Sequence, residues 1–301
     1  MRTALAAGLV LLLLAATVAS APARTASDCS GTSTGLVPLS ELKTKRYRGY
    51  QGGLYPGGKN VPSKAYLSQG LAASKRVHGR VVLLSIGMSN TTQEFSTFMR
   101  TARDDQGLNP SLTVVDGAQG GQDAVRISDP SAPFWQNVDR RLAAANVTRG
   151  DVQVVWLKEA IARPTETFPT DAKRLQGLLR TIVDILDVRF PNLRLVYVSS
   201  RVYAGYASTP LNPEPYAYQS GFAAKWLVAD RIAGRIKGPW VGWGPYLWAD
   251  GTKARADGLS WSCNDLQQDG THPSELGRTK VAERLLRFMK TSPTSKSWFL
   301  R

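Results

Sequence analysis

Between residues 80 and 290, short runs of apolar residues alternate with longer stretches of helical periodicity. The apolar runs are Val81–Ile86, Leu112–Val115, Val152–Leu157, Leu193–Ser199 and Trp240–Trp243. The helical stretches are Gln93–Arg103, Trp135–Ala145, Asp171–Arg189, Pro215–Ile236 and Ser274–Met289. Strands that are apolar throughout and are separated by helices indicate an α/β fold, in which a parallel sheet is covered on both faces. A functional site in such a sheet is expected at the carboxyl ends of its strands.

The first 78 residues contain two segments of different composition. Residues 1–23 are typical of a cleaved signal peptide, with Arg2 at the charged start, the apolar stretch Leu9–Leu14, and small residues at Ala19–Ala23. The apolar stretch is too short for a permanent membrane span. We therefore expect a secreted or periplasmic protein that is not integral to the membrane. Residues 24–78 are rich in Gly, Pro, Ser and Tyr, which predicts an irregular arm packed over the domain.

The rest of the chain is predicted to form one domain, residues 79–292, followed by a tail at residues 293–301. No linker, repeat or low-complexity tract interrupts it. The formal net charge of +15 would attract anionic polymers, but the basic residues are scattered apart from the cluster Lys43–Arg48. Because no nucleic-acid-binding motif accompanies them, we expect no nucleic-acid partner. The sequence leaves the oligomeric state open.

The chain has two cysteines, Cys29 and Cys263. An even number in an exported protein fits one disulfide, which would tie the arm to the segment before His272, although two unpaired thiols are the alternative. No Cys-x-x-Cys pair exists and there are only two histidines. We therefore expect neither a structural metal nor a cofactor.

A serine follows the first strand in a position suited to nucleophilic catalysis. The apolar run ends at Gly87, Ser89 comes two residues later, and a helical stretch follows. Such a strand–turn–helix lifts a serine hydroxyl off the end of a sheet and leaves backbone N–H groups available for an oxyanion. An ordinary turn with serine as the helix cap is the alternative interpretation.

A serine nucleophile needs a base, usually imidazole, and only His78 and His272 are present. His78 precedes the first strand, roughly 20 Å from the end that carries Ser89. His272 is therefore the predicted base. Asp269, three residues earlier, can orient the second ring nitrogen, which would complete a Ser-His-Asp triad. A capping aspartate before the last helix is the alternative explanation for Asp269.

A serine after the first strand and an Asp-x-x-His sequence before the last helix resemble the SGNH (GDSL-like) hydrolase family. The Gly-x-Ser-Asn form is similar to its carbohydrate and sialate O-acetylesterase-like branch. The α/β-hydrolases differ, because Gly87–Thr91 lacks their second glycine. The resemblance implies a three-layer α/β/α flavodoxin-like fold and a serine esterase that uses Ser89, His272 and Asp269.

The resemblance also implies an oxyanion hole. In the family, a glycine after the second strand donates a backbone N–H, and the spacing here points to Gly121, with Gly120 as the second choice. Family members also carry an asparagine after the third strand. That asparagine is missing from Val155–Ala160, where Lys158 is the candidate replacement donor. An ion pair between Lys158 and Glu159 is the alternative.

Further residues are expected to bind substrate. Asn90 follows the serine, Glu159 is similar to a glutamate of the acetylesterase branch, and Tyr203 follows the fourth strand. An aromatic cluster that includes Trp248 precedes the Asp269–His272 loop, and sugar rings stack on such side chains, although core packing is the alternative. The cluster consists of Trp240, Trp243, Tyr246, Trp248 and Trp261.

We therefore expect an esterase that removes a small acyl group, such as acetyl, from a carbohydrate or another acylated small molecule. A lipase or lysophospholipase of the same fold is one alternative. A catalytically degenerate carbohydrate-binding protein is another, because the asparagine is missing.

Overall fold

The computed structural model describes residues 29–301. The predicted signal peptide, residues 1–23, lies outside this range. In chain order the strands are β1 (Arg46–Tyr47), β2 (Tyr50–Gln51), β3 (Val81–Gly87), β4 (Leu112–Asp116), β5 (Val152–Lys158), β6 (Leu195–Val198) and β7 (Trp240–Trp243). The α-helices are α1 (Leu39–Leu42), α2 (Lys64–Ser74), α3 (Ser89–Arg103), α4 (Ala124–Ile127), α5 (Pro133–Ala144), α6 (Thr170–Arg189), α7 (Tyr216–Ile232), α8 (Glu275–Thr291) and α9 (Lys296–Phe299).

Strands β3 to β7 form one sheet in the order β4-β3-β5-β6-β7, and every neighbouring pair is parallel. This order is that of flavodoxin-like sheets, in which the chain first steps to one side of its opening strand and then continues on the other. The predicted α/β class and three-layer fold are confirmed. The order of the strands therefore reverses direction across the sheet at β3. A crevice is expected at the carboxyl end of the strand where this reversal occurs.

Helices cover both faces of the sheet. Helices α3 and α8 pack together on one face, and α6 and α7 pack together on the other. All residues of β3 and of β5 are buried, as expected for strands covered on both sides. This burial is the physical reason that these strands are continuous apolar runs in the sequence.

The five predicted strands all exist, and their ends shift by no more than two residues. Helix α3 begins at Ser89 itself, four residues earlier than predicted. Its first turn, Ser89–Thr92, consists of polar residues whose side chains hydrogen-bond to neighbouring segments, so the apolar periodicity did not reveal the start of the helix.

The predicted irregular arm, residues 24–78, is wrong in one respect, because it contains the eleven-residue helix α2. The buried residues of α2 are Tyr66, Gly70, Ala73 and Ser74, so only one of them is large and the helical pattern is weak in the sequence. A Cβ on Gly70 would lie 2.7 Å from the ring of Trp240. Glycine therefore lets the helix pack directly on the strand that carries Trp240.

The arm is also fixed to the loops before the last helix. Cys29 and Cys263 form a disulfide, with 5.5 Å between their Cα atoms, as the sequence predicted. Nearby, the buried carboxylate of Asp250 accepts hydrogen bonds from the Ser33 hydroxyl and the Thr34 backbone. The start of the arm is thereby held against the segment between β7 and α8, the same segment that contains Asp269 and His272.

The C-terminal segment 293–301 packs on the domain as well. Trp298 and Phe299 of α9 are buried, and the carbonyl of Phe299 accepts a hydrogen bond from the Asn109 amide. The chain end is therefore part of the core.

Candidate active site

Ser89 stands at the junction of β3 and α3. Gly87 ends the strand, Met88 is extended, and Ser89 is the first helical residue. A Cβ on Gly87 would lie 2.3 Å from the Lys158 carbonyl oxygen and 2.4 Å from the Thr91 hydroxyl. Only glycine lets the turn pass this close to the end of β5. The glycine of the Gly-x-Ser sequence is thus required by packing, and it leaves Ser89 half-exposed at the carboxyl edge of the sheet.

The two residues after Ser89 fix the start of the helix. The Thr91 hydroxyl donates to the Lys158 carbonyl at 2.6 Å, and the Asn90 side chain donates to the Thr271 carbonyl at 2.9 Å. Asn90, which was expected to contact substrate, is buried, and its side-chain amide is engaged in this hydrogen bond. Its amide instead joins the residue after Ser89 to the residue before His272.

The side chains of Ser89, His272 and Asp269 are joined by two hydrogen bonds and form the candidate catalytic array. The Ser89 hydroxyl is 2.8 Å from Nε2 of His272. Nδ1 of the same ring is 2.5 Å from Oδ2 of Asp269. With 21% of the His272 side chain and 30% of the Asp269 side chain exposed, the array is reachable from solvent. The structure therefore brings together the three residues that the sequence selected.

The second oxygen of Asp269 is held by the backbone of its own loop. Oδ1 accepts the N–H groups of Thr271 and His272, each at 3.0 Å. Partial burial alone would raise the pKa of Asp269, but the hydrogen bonds from the His272 ring and from these two N–H groups outweigh it. They hold the pKa well below the usual range for aspartate, so the carboxylate stays charged opposite His272.

Gly270 lets this loop approach its neighbour. It has φ of +62°, and a Cβ there would lie 1.7 Å from the carbonyl oxygen of Tyr206. Both the backbone conformation and the close contact exclude larger residues. The glycine inside Asp-Gly-Thr-His is therefore required for the position of Asp269 and His272.

His78 plays no part in this array. It is exposed just before β3, and its backbone N–H donates to the Gln153 side chain at 3.1 Å. This places it at the amino end of the sheet, as the strand length predicted.

Gly120 and Gly121 lie in the loop after β4, and both are exposed. A Cβ on Gly120 would lie 3.8 Å from the Ser89 Cβ, whereas nothing lies within 4 Å of the equivalent position on Gly121. The loop is anchored by the Gln119 N–H, which donates to the Gly87 carbonyl at 2.9 Å. The structure thus places the second choice, Gly120, beside Ser89.

The ammonium group of Lys158, which was the candidate oxyanion donor, is engaged by Glu94 instead. The ammonium group is buried and lies 2.9 Å and 2.8 Å from the two carboxylate oxygens of Glu94 on α3. Desolvation lowers the pKa of Lys158, and the charge of Glu94 opposes that effect. A buried ammonium requires such a partner, which removes its donors from the site.

The remaining predicted contacts to substrate are also core residues. Glu159 is buried, and desolvation raises the pKa of its carboxyl well above the ordinary value. It does not pair with the ammonium of Lys158. Tyr203 is buried and donates to the Gly31 carbonyl at 2.6 Å. Trp248 is buried and donates to Glu214 at 2.7 Å. All three side chains therefore lie in the protein core.

The five residues of the aromatic cluster are also buried in the core. All five of its rings are at least 95% buried, so core packing explains the cluster and the expected sugar-binding wall is absent. The exposed fractions are Trp240 5%, Trp243 5%, Tyr246 5%, Trp248 0% and Trp261 0%.

A cleft of about 660 Å³ adjoins the histidine side of the array. His272 and Asp269 line it, and Gln93, one turn after Ser89 on α3, forms part of its wall. The other lining residues are Arg163, residues 208–211, Gln267 and Gln268. Eight of the ten lining residues have polar or charged side chains, and Pro210 and Leu211 are apolar. A second cavity of similar size lies along the edge strand β4 and includes no member of the array.

The sequence interpretation missed Glu94 and Arg163. The sequence did contain a signal for the Glu94–Lys158 pair. It was a charged residue on the apolar face of α3 together with another at the end of the apolar run of β5. Arg163 had no such signal, because it lies in a loop whose course depends on tertiary contacts.

Among residues 29–301, no group of three or more acidic, histidine or cysteine side chains could hold a metal ion. Within the same range, no helix is both long and apolar enough to span a membrane.

No protein-family model matches the chain, and no curated protein matches it either. Nine solved chains match it, and three of them show how weak the resemblance is. Protein YxiM of Bacillus subtilis is 12% identical over 71% of this chain, with a TM-score of 0.38. A provisionally named acylhydrolase of Bacteroides fragilis is 13% identical over 75% of this chain and 96% of its own, with a TM-score of 0.40. The salicylyl-acyltransferase SsfX3 from a tetracycline biosynthetic pathway is 15% identical over 72% of this chain, with a TM-score of 0.38.

The chain spans 57% of the length of YxiM and 57% of that of SsfX3. Superpositions at these TM-scores establish neither a family nor an activity for this chain. The chemistry must therefore be inferred from the site itself.

Proposed function

We propose that the protein is an exported serine esterase that hydrolyses small acyl esters through Ser89, His272 and Asp269. The observation that carries the proposal is the pair of contacts of the His272 ring, 2.8 Å from the Ser89 hydroxyl and 2.5 Å from the Asp269 carboxylate. A serine, an imidazole and a carboxylate in this order are the arrangement that activates a serine nucleophile.

The reaction follows from that order. The Ser89 hydroxyl attacks the ester carbonyl while Nε2 of His272 takes its proton. Asp269 holds the proton on Nδ1 and stabilises the positive ring. His272 then gives its Nε2 proton to the departing alcohol, which leaves an acyl group on Ser89. A water molecule, deprotonated by His272, hydrolyses that acyl-enzyme and restores the hydroxyl.

Two backbone N–H groups are the candidates for the oxyanion hole. Ser89 is the first residue of α3, where helical N–H groups have no partner within the helix. The backbone of Gly120 passes beside Ser89. Because Lys158 is paired with Glu94, no side-chain donor from the end of β5 joins them. An oxyanion hole with two donors would stabilise the transition state by about 3–4 kcal/mol less than a hole with a third donor.

The side chains that line the cleft support an alcohol with several hydroxyl groups, such as a sugar. Glutamine, serine and threonine side chains in the lining can hydrogen-bond to hydroxyl groups. Export is supported by the signal-peptide pattern of residues 1–23 and by the Cys29–Cys263 disulfide.

A binding protein without catalytic activity is the second candidate, because the third oxyanion donor is missing. The test is hydrolysis of p-nitrophenyl acetate, butyrate and octanoate by the purified protein. We expect the acetate to be hydrolysed fastest. Ser89→Ala and His272→Ala should each reduce kcat by at least about 10³-fold, and the double variant should be little slower, because triad members act as a unit. Absence of turnover on all three esters would favour the binding protein.

A further inference from the structure

Arg163 places a positive charge in the wall of the cleft beside His272. The residue is exposed. No carboxylate of residues 29–301 lies within ion-pair distance of its guanidinium. The single acidic residue of the cleft wall is Asp269, whose oxygens are occupied by His272 and by the loop backbone. The charge of Arg163 is therefore available to a ligand.

The position of Arg163 is fixed by the chain around it. Its backbone N–H donates to the Leu211 carbonyl at 2.7 Å, and the Ser208 N–H donates to the Asp269 carbonyl at 3.0 Å. One short segment, residues 208–211, thus connects the Arg163 loop to the loop that carries the array. Arg163 also has φ of +53°, a conformation that is costly for a residue with a side chain. Strain of this type is kept where the surrounding structure imposes it, often at ligand sites.

The chemistry of the proposed reaction assigns this cleft to the alcohol part of the ester. His272 must deliver its Nε2 proton to the leaving oxygen, so the alcohol departs on the histidine side. The cleft is lined by His272 and Asp269 but not by Ser89, which carries the acyl group. A group that extends from the leaving oxygen into the cleft would meet the guanidinium of Arg163.

We propose that Arg163 is a specificity-determining residue that binds an anionic group on the alcohol part of the substrate. A guanidinium presents paired N–H donors that match a carboxylate or a phosphate. The preferred substrate class is then an acyl ester of an alcohol that also carries one of these anions. This inference rests on the proposed esterase function.

The test compares three acetyl esters that differ in charge opposite the leaving oxygen: 4-acetoxybenzoate, 4-acetoxyphenyl phosphate and neutral 4-acetoxybenzamide. The ratio of kcat/KM for each anionic ester to that for the amide is measured in wild type and in variants. Asparagine tolerates positive φ, so Arg163→Asn removes the charge without adding strain. We expect the ratio to fall about tenfold for the favoured anion, mainly through KM, as for a lost charge-assisted hydrogen bond. Arg163→Lys should keep part of the preference.

Arg48 provides the matched control. It is exposed, has φ of +45° and lies between β1 and β2, outside the cleft. Arg48→Asn makes the same change in charge and backbone and should leave both ratios unaltered. Equal ratios in wild type and Arg163→Asn, with all esters hydrolysed, would overturn the inference and leave the esterase proposal intact. No turnover on any ester would overturn the esterase proposal and this inference with it.

Discussion

The side-chain amide of Asn90 donates a hydrogen bond to the carbonyl oxygen of Thr271 at 2.9 Å. Asn90 follows Ser89 in α3, and Thr271 precedes His272 in a loop more than 180 residues later, so one buried contact ties the segment of the nucleophile to that of its base. The Ser-Asn sequence is therefore explained by assembly of the array.

Replacing Asn90 by alanine should lower kcat about 10- to 100-fold with little change in KM, because His272 would lose its alignment with Ser89 while the substrate still binds. The free energy of unfolding should also fall by about 1–3 kcal/mol, because the Thr271 carbonyl loses its buried hydrogen-bond donor. Asn109→Ala is the control, because it removes a similar bond, to the Trp298 carbonyl at 3.0 Å, away from the site. Equal kcat in the two variants would contradict a positioning role for Asn90.

Lys158→Met should destabilise the fold more than it changes the chemistry. It leaves the carboxylate of Glu94 buried without a partner, which typically costs about 3–5 kcal/mol. The double variant Glu94→Leu, Lys158→Met should recover most of that loss in denaturant melts. If Lys158→Met instead kept full stability but lost kcat, Lys158 would be a direct donor to the oxyanion after all.

The sheet and the array could be predicted from the sequence because both leave local patterns. Strands buried on two faces are apolar runs, and with two histidines in the chain the base could be found by elimination. Interactions between distant segments left no such pattern. The amide of Asn90 and the ammonium of Lys158 could each have faced substrate, and only the packing of α3 against the Thr271 loop and β5 shows that they do not. Helix α2 was not predicted for the same reason. Its small residue Gly70 packs against Trp240, which is distant in sequence and leaves no local pattern.

Stability should depend on pH through Glu214. Desolvation raises its pKa from 4.5 to about 6, although hydrogen bonds from Trp248, Ala204 and Tyr218 and the charge of Arg201 oppose the change. The folded state thus holds the proton more tightly than the unfolded chain. The stabilisation is fully present below pH 4.5 and is lost as the pH rises through about 6. Between these values the free energy of unfolding should fall by about 1–2 kcal/mol.

Denaturant melts of wild type and Glu214→Gln from pH 4 to 7.5 measure this contribution. The difference between the two proteins should change across the window and be constant above it, because other titrating groups cancel in the comparison. A difference that is independent of pH would show that Glu214 does not titrate in this range.

The disulfide should stabilise the fold by about 2–5 kcal/mol, because it closes a loop of more than 230 residues. Melts of wild type and Cys29→Ser, Cys263→Ser, together with mass spectrometry without reduction, measure this value. Two alkylatable thiols in the exported protein would contradict the bridge.

The most direct test of the central claim is covalent labelling of the native protein with a serine-reactive alkyl phosphonate, followed by peptide mass spectrometry. Ser89 should carry one phosphonyl group per chain. Labelling should be absent in Ser89→Ala and at least about 10²-fold slower in His272→Ala, because the imidazole must take the hydroxyl proton. Labelling of wild type at another residue, or Ser89 labelling at the same rate without His272, would contradict the assignment of Ser89 as an activated nucleophile.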